Sequence, residues 1–369
     1  MNAMETSTST VYTPLLEQLR ERLREEGSVP GLFLGTELDF ARRNRISRDS
    51  VRLATDQLIA EGLVERRPGR GVFSRATVTQ KMIELVVPNF GPLWSDLATG
   101  AHAAGREHGV SVHVINADGN FEADVEAVRR LPEIEMEGAV IGSLHRARLT
   151  EAVIELHRRR FPLVLADQRL TDVDVPSVTF DNHAAGYLAG QELLRQGHRR
   201  IGFVGYAEQG AVRGRLDGLR DSVNDAGLPF DRSLVDTVAL EPVDPWPAAA
   251  PARAAVLRAW LNRPERPTAI IFHTDQLALE AYPAIRALGL RIPEDVSVVG
   301  FGGGLGVAAM PSLASVALPM IDMGRVAARM LIERIAAPKS LAAHSVLPVR
   351  WQAGGSVASA NATSSSRGE

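Results

Sequence analysis

Cysteine is absent from all 369 residues of the chain. That excludes disulfides and thiolate metal sites and suits a reducing compartment, so a cytoplasmic location is expected. Also missing is any apolar run near the roughly 18 residues that a membrane span requires. The polar, Ser/Thr-rich start from Met1 to Tyr12 lacks the apolar stretch of a signal peptide. The nine histidines show no H-x-x-x-H or H-E-x-x-H spacing, and there is no G-x-S-x-G elbow. The glycine run after Val299 fails G-x-G-x-x-G in either register, because Leu305 or Val307 stands where the last glycine belongs, and no Gly-Lys-Ser/Thr ending follows. The expectation is a protein with no catalytic residues, no metal, no cofactor and no membrane partner.

Net positive charge is lacking as well: the formal balance is −3. Its distribution is uneven. Between residues 42 and 75 stand nine arginines (42, 43, 45, 48, 52, 66, 67, 70, 75) against four acids (49, 56, 61, 65). Such a run is a solvated face or a surface for a polyanion. Leu15, Leu16, Leu19 and Leu23 fall at helical spacing before Gly27 and predict a first helix of about four turns. Thr36 caps a short second helix with Asp39 three residues on. Ser47 caps a third whose apolar face is Val51, Ala54 and Leu58, ending at Gly62. Arg48, Asp49 and Arg52 point outward near its start, with Ser50 on the flank, as a helix entering a major groove requires. Two short strands, Leu63–Arg67 and Val72–Ser74, enclose Pro68-Gly69-Arg70-Gly71, a hairpin with arginine at its tip, suited to a minor groove.

The order Ser47-Arg48-Asp49-Ser50-Val51-Arg52, Glu61-Gly62-Leu63-Val64, Gly69-Arg70-Gly71-Val72-Phe73 resembles the GntR-type winged helix over about residues 12–75. The resemblance implies DNA contacts from Thr36, Ser47, Arg48, Asp49, Ser50, Arg52, Arg67, Gly69, Arg70 and Gly71. One departure stands out: the family often has arginine directly after the glutamate matching Glu37, and this chain has Leu38, which removes a phosphate contact.

Beyond a polar joint at Thr77–Gln80, apolar strand candidates (83–87, 110–115, 139–141, 163–166, 201–204, 269–272, 296–301) alternate with amphipathic helices such as 96–108, 184–196, 216–226 and 277–288. That pattern predicts parallel sheets covered on both faces, with ligands outside the carboxyl ends of the strands. Phe161-Pro162-Leu163-Val164-Leu165-Ala166-Asp167, Val178-Thr179-Phe180-Asp181-Asn182, Gly197-His198-Arg199-Arg200-Ile201-Gly202-Phe203, Thr274-Asp275-Gln276-Leu277-Ala278 and Ile292-Pro293-Glu294-Asp295-Val296-Ser297-Val298-Val299-Gly300-Phe301 resemble LacI/GalR-type effector domains. The resemblance implies a two-lobed, periplasmic-binding-protein-like domain with chain crossings near residue 181 and after Pro311. A GntR-type head on such a body is similar to the arabinose-repressor subgroup. The fold class is therefore α/β: a winged helix-turn-helix at 1–76, a linker at 77–82, a two-lobed effector-binding and dimerisation domain at 83–352, and a disordered tail at 353–369. Nothing between Ser74 and Met82 resembles a hinge helix. The implied function is a homodimeric, ligand-responsive repressor of carbohydrate-metabolism genes on double-stranded operator DNA. The alternatives are a corepressor-type regulator with a non-sugar effector, or a cytoplasmic solute-binding protein.

By the same resemblance, Asn89, Phe90, Asp167, Arg169, Arg215, Trp246, Thr274, Asp275 and Gly302 line the effector cleft. Arg215, just before a helix, either clamps the ligand or pairs on the surface with Asp217 or Asp221. Trp246, between Pro245 and Pro247, either covers the ligand or packs a loop, and Asp275 either binds ligand or caps the helix from Gln276. The acid that usually follows the last strand is replaced by Gly302-Gly303-Gly304-Leu305-Gly306. With that carboxylate gone and Arg215 retained, the expected effector is larger than a monosaccharide or carries its own negative charge.

Overall fold

A computed structural model describes residues 5–25, 31–75, 81–116, 121–134, 136–142, 146–170, 173–206, 210–238, 250–304, 308–338 and 340–360. The linker segment 76–80 and Trp246 lie outside the described residues. The chain divides into two compact units, 1–81 and 82–369.

The first unit holds α1 (Glu5–Glu25), β1 (Phe33–Gly35), α2 (Glu37–Asn44), α3 (Arg48–Ala60), β2 (Val64–Arg67) and β3 (Gly71–Ser74). Helix α1 begins well before the expected start and contains Pro14; the low helix propensity of its Ser/Thr stretch conceals that extension in the sequence. Leu15, Leu19 and Leu23 pack with Phe40, Val51, Ala54, Leu58, Val64 and Val72 into one core. The sheet runs β1-β3-β2 and is antiparallel throughout. Strand β1 was not expected. It adds to β3 because Phe33 is drawn onto Phe73, ring centroids 5.3 Å apart.

The second unit contains two lobes of like construction. Its elements are β4 (Lys81–Val87), α4 (Pro92–Glu107), β5 (Val110–Asn116), α5 (Phe121–Arg130), β6 (Ala139–Gly142), α6 (Arg146–Arg158), β7 (Leu163–Ala166), β8 (Ser177–Phe180), α7 (Asn182–Arg195), β9 (Ile201–Tyr206), α8 (Gly210–Asp225), β10 (Val235–Val238), α9 (Ala250–Leu261), β11 (Ala269–Phe272), α10 (Asp275–Ala287), β12 (Ser297–Gly302), β13 (Ala314–Ala317), α11 (Met320–Ala336), β14 (His344–Leu347) and β15 (Arg350–Gln352). One six-stranded sheet is ordered β14-β8-β7-β6-β4-β5, the other β10-β9-β11-β12-β13-β15. Strands β6, β7, β9, β11 and β12 bury every residue because helices cover both faces. The chain crosses between lobes three times, from β8 to α7, from β13 to α11 and from β14 to β15. The first two crossings agree with the sequence expectation; the third arises because β15 returns antiparallel to β13.

The tail expected to be disordered from 353 is corrected over 353–360. Ser356 is fully buried, its hydroxyl accepting from Ala314 N at 2.8 Å and donating to Val298 O at 2.6 Å. Ala360 N donates to Gln196 O. The small residues that read as linker composition are required here by close approach, since a Cβ on Gly354 would meet Ala314 N at 2.4 Å. Residues 361–369 lie outside the described set.

Candidate functional site

In the first unit the caps are as expected. Thr36 Oγ1 accepts from Asp39 N at 3.1 Å, while the Asp39 carboxylate accepts from both the Thr36 N–H and its hydroxyl. Those bonds hold the Asp39 carboxyl below its ordinary range. The Thr36 hydroxyl is thus committed to the cap. Ser47 Oγ accepts from Ser50 N at 3.1 Å and fixes the first turn of α3. Ser50, expected on the exposed flank, is corrected: it is buried, and its hydroxyl lies 2.9 Å from that of Ser47.

The nine arginines separate into two groups. Arg66 joins Glu37 at 2.7 Å, Asp56 at 2.8 Å and the Thr55 hydroxyl, tying β2 to both α2 and α3. Arg67 pairs with Glu65 at 2.6 Å and lies over the Phe73 ring, 4.4 Å from its centroid. The other seven, Arg42, Arg43, Arg45, Arg48, Arg52, Arg70 and Arg75, are exposed and make no side-chain hydrogen bond or ion pair among the described residues. Arg48 and Asp49 open α3, with Arg52 one turn on. Arg70 stands at the tip of the β2–β3 hairpin, where Gly69 and Gly71 adopt φ of 69° and 111°. A Cβ at Gly71 would meet Gly35 O at 2.7 Å, so glycine is demanded on two counts.

In the second unit a cleft of about 90 Å³, open to solvent, is lined from one lobe by Asn89, Pro92, Leu93, Trp94 and Asp96, and from the other by Thr274, Gln276, Phe301, Gly302 and Gly304, with Asp275 behind them. Asn89 Oδ1 accepts from Gly91 N and shapes the loop ahead of α4. Phe90 is exposed and outside the lining residues, as is Arg169.

Arg215 is 3% exposed and lies inside α8, not ahead of it. Its surface pairing with Asp217 or Asp221 is therefore corrected; Arg220 makes those contacts. Arg215 instead donates from Nε to Asn182 Oδ1 at 3.0 Å and from a terminal nitrogen to His273 O at 2.6 Å, with its guanidinium 4.5 Å from the centroid of Phe301. Burial lowers its pKa to about 10, against the attraction of Asp167 and Asp275. Burial raises Asp167 to about 6, opposed by Arg215. Asp167 has a left-handed backbone (φ 61°), and its Oδ1 is enclosed without a hydrogen-bond partner. Burial, then the nearby Arg215, pushes His273 well below the usual histidine range, so it is neutral.

Thr274, not Asp275, caps α10, its hydroxyl accepting from Leu277 N. Asp275 is a buried brace: it accepts from Ser315 Oγ at 2.6 Å and from Gly303 N at 2.7 Å. Gly302 stands where the sequence lacks the acid, and a Cβ there would meet the carboxylate of Asp275 at 2.8 Å, so that carboxylate lies directly beside the glycine run. Leu93, Trp94, Asn182, His273 and Phe301 were not singled out from sequence. The one signal for them was their position at strand ends or in the helix starts that follow strands, beside residues that were singled out.

Two family descriptions match the chain. Residues 11–73 match the gntR family of bacterial regulatory proteins, and residues 191–357 match the periplasmic binding protein-like domain. Over 342 residues the chain is 25% identical to the arabinose metabolism transcriptional repressor of Halalkalibacterium halodurans, covering 88% of this chain and 89% of that protein. It is 27% identical to the protein of the same description in Geobacillus stearothermophilus, over 90% and 93% of the two chains. Among solved structures, a complex of the transcriptional regulator CelR with cellobiose aligns with a TM-score of 0.66 and 26% identity, over 84% of this chain and 90% of that one. The chain thus carries a gntR-type head ahead of a periplasmic-binding-protein-like body.

Proposed function

We propose that this head-and-body chain is a ligand-responsive transcriptional repressor whose first unit holds operator DNA and whose cleft binds a neutral, carbohydrate-like effector that releases it. The observation that carries the DNA reading is the set of exposed arginines left unpaired around the start of α3 and the hairpin tip. An arginine with no acid to answer it keeps its fork of donors for phosphates and guanine edges. Arg48, Asp49 and Arg52 read the major groove, and Arg70, flanked by Gly69 and Gly71, reaches the minor groove. Thr36 and Ser47 serve by fixing helix starts, and Arg67 by stiffening the hairpin.

The effector reading rests on the cleft's charge. Behind the lining residues one buried guanidinium, Arg215, is opposed by the charges of Asp167 and Asp275, and His273 contributes no charge. Asp96 adds another acid at the lining. An anionic effector would meet more negative than positive charge. A neutral ligand that reaches past the lining could supply a hydroxyl donor to the unpaired Asp167 Oδ1, while Pro92 and Leu93 offer apolar surface at the cleft. The cellobiose seen in CelR is consistent with this class. We assign the working form as a cytoplasmic homodimer on a two-fold operator, since paired heads on matching half-sites double the contact.

The test is to incubate the full-length chain with fragments of its own genome, sequence what is retained, and titrate the complex with neutral sugars, disaccharides and uronates. Retained fragments sharing an inverted repeat, and release by a neutral sugar, are expected. Fragments without two-fold symmetry refute the dimeric reading, and release by uronates alone refutes the charge argument.

A further inference from the structure

The turn between α2 and α3 places an arginine where backbone geometry favours glycine. Arg45 ends α2 in the left-handed region, φ 54° and ψ 42°, with its N–H donating to Ala41 O. A residue with a Cβ is disfavoured there, and glycine or asparagine is the usual occupant of such a helix end. What arginine adds is a charge that the protein does not use. Its side chain is exposed and has no hydrogen bond or ion pair among the described residues, although α2 and α3 carry Glu37, Asp39 and Asp49. Compensation of the α2 dipole does not account for it, because Arg42 and Arg43 already occupy the last turn.

Leu38, Arg42 and Arg45 stand at i, i+4 and i+7 and so follow one stripe of α2. Leu38, at the head of the stripe, is exposed and apolar at the position where the winged-helix pattern often has a cation. We propose that Arg45 is a DNA-phosphate contact, supplying at the end of α2 the charge that Leu38 lacks at its beginning. A strained residue that would be more stable as glycine, bearing an unanswered charge three residues before Arg48, points to a function outside the folded chain itself. The proposal rests on the DNA-binding reading of the first unit and adds to it a residue that reads no base.

The test uses the full-length chain and its Arg45→Gly, Arg45→Asn and Arg45→Lys variants. Binding is followed by fluorescence anisotropy on two duplexes, one retained from the genomic selection and one of mixed sequence, between 50 and 200 mM salt, with thermal melting in parallel. Arg45→Gly and Arg45→Asn are expected to melt no lower than the parent. They should bind both duplexes about tenfold more weakly at the lower salt, with the log–log salt slope reduced by about 0.9 per head. Arg45→Lys should keep affinity and slope within about threefold of the parent, because charge is what a phosphate contact needs. If Arg45→Gly and Arg45→Asn bind with the parent's affinity and slope, this contact is wrong and the DNA-binding reading stands. If the parent binds neither duplex, both fall together.

Discussion

Asp167 and Arg215 belong to different lobes and act on each other through their charges, and their buried environment makes a signed prediction. Asp167 titrates at about 6 in the folded chain because burial raises it, with Arg215 opposing, against an ordinary value of 3.8. Between about pH 6 and 4 the folded state therefore binds the proton that the unfolded state does not, so stability should rise as pH falls through that window. An effector hydroxyl that donates to this carboxylate needs its ionised form. Effector affinity should therefore fall over the same window, approaching about tenfold per pH unit below 6. Calorimetric titration of the effector at several pH values, with Asp167→Asn as the variant that abolishes the dependence, checks the sign. At the other unit, Arg48→Ala should weaken operator binding by about 1–3 kcal/mol and relax preference at one base position per half-site, if its fork meets guanine. Selection from a randomised half-site library by parent and variant measures both. The sequence singled out Arg215, but the structure buries it behind the residues that line the cleft. Its partners were not legible, because Asn182 and His273 lie 33 and 58 residues away and the contacts exist only once α7, α8 and β11 have converged.

Helices show the same division between what a local pattern carries and what packing adds. The Thr36 capping box and the Ser47 cap are short-range hydrogen bonds, visible as a residue type at a fixed offset. The fully buried strands were equally plain, since helices on both faces make every residue apolar. Strands β14 and β15 escaped because they are edge strands with half-exposed, polar sequences, and the buried run around Ser356 escaped because small polar residues read as linker. Tertiary closeness also explains glycines that no turn requires. Helices α4 and α11 cross so tightly that a Cβ on Gly324 would meet Leu97 O at 1.9 Å, and one on Gly100 would meet Ile321 O at 1.9 Å. Gly186 and Gly218 do the same where α7 meets α8 in the other lobe. Although alanine is the better helix former, Gly324→Ala should destabilise the second unit by about 1–3 kcal/mol through overpacking. Urea unfolding would show it as a lower midpoint, and a midpoint raised above the parent's would mean that the crossing is looser than these distances.

The two lobes are joined by three crossings, and the cleft lies among residues of both, so an effector there bears on the angle between them. Binding that changes this angle is coupled to whatever else depends on it, and the coupling must be reciprocal. If the effector lowers operator affinity by a given factor, operator DNA must lower effector affinity by the same factor, typically about 5- to 150-fold for such systems. We predict that equality for the full-length chain. Two titrations decide it: effector into free protein and into operator-bound protein on one side, operator into free and effector-saturated protein on the other. Matching factors mean that one two-state change links cleft and head. Factors that differ beyond error, with the operator side shifting as protein concentration changes, mean that the effector alters assembly of the dimer instead, because concentration enters only through subunit association. The variant Phe301→Leu, checked for a parent-like melt, sharpens the choice: it removes the buried ring beneath Arg215 behind the cleft. It should weaken effector binding to free and DNA-bound protein alike, leaving the coupling factor unchanged if the ring serves binding only. A lowered factor would place that ring in the switch itself.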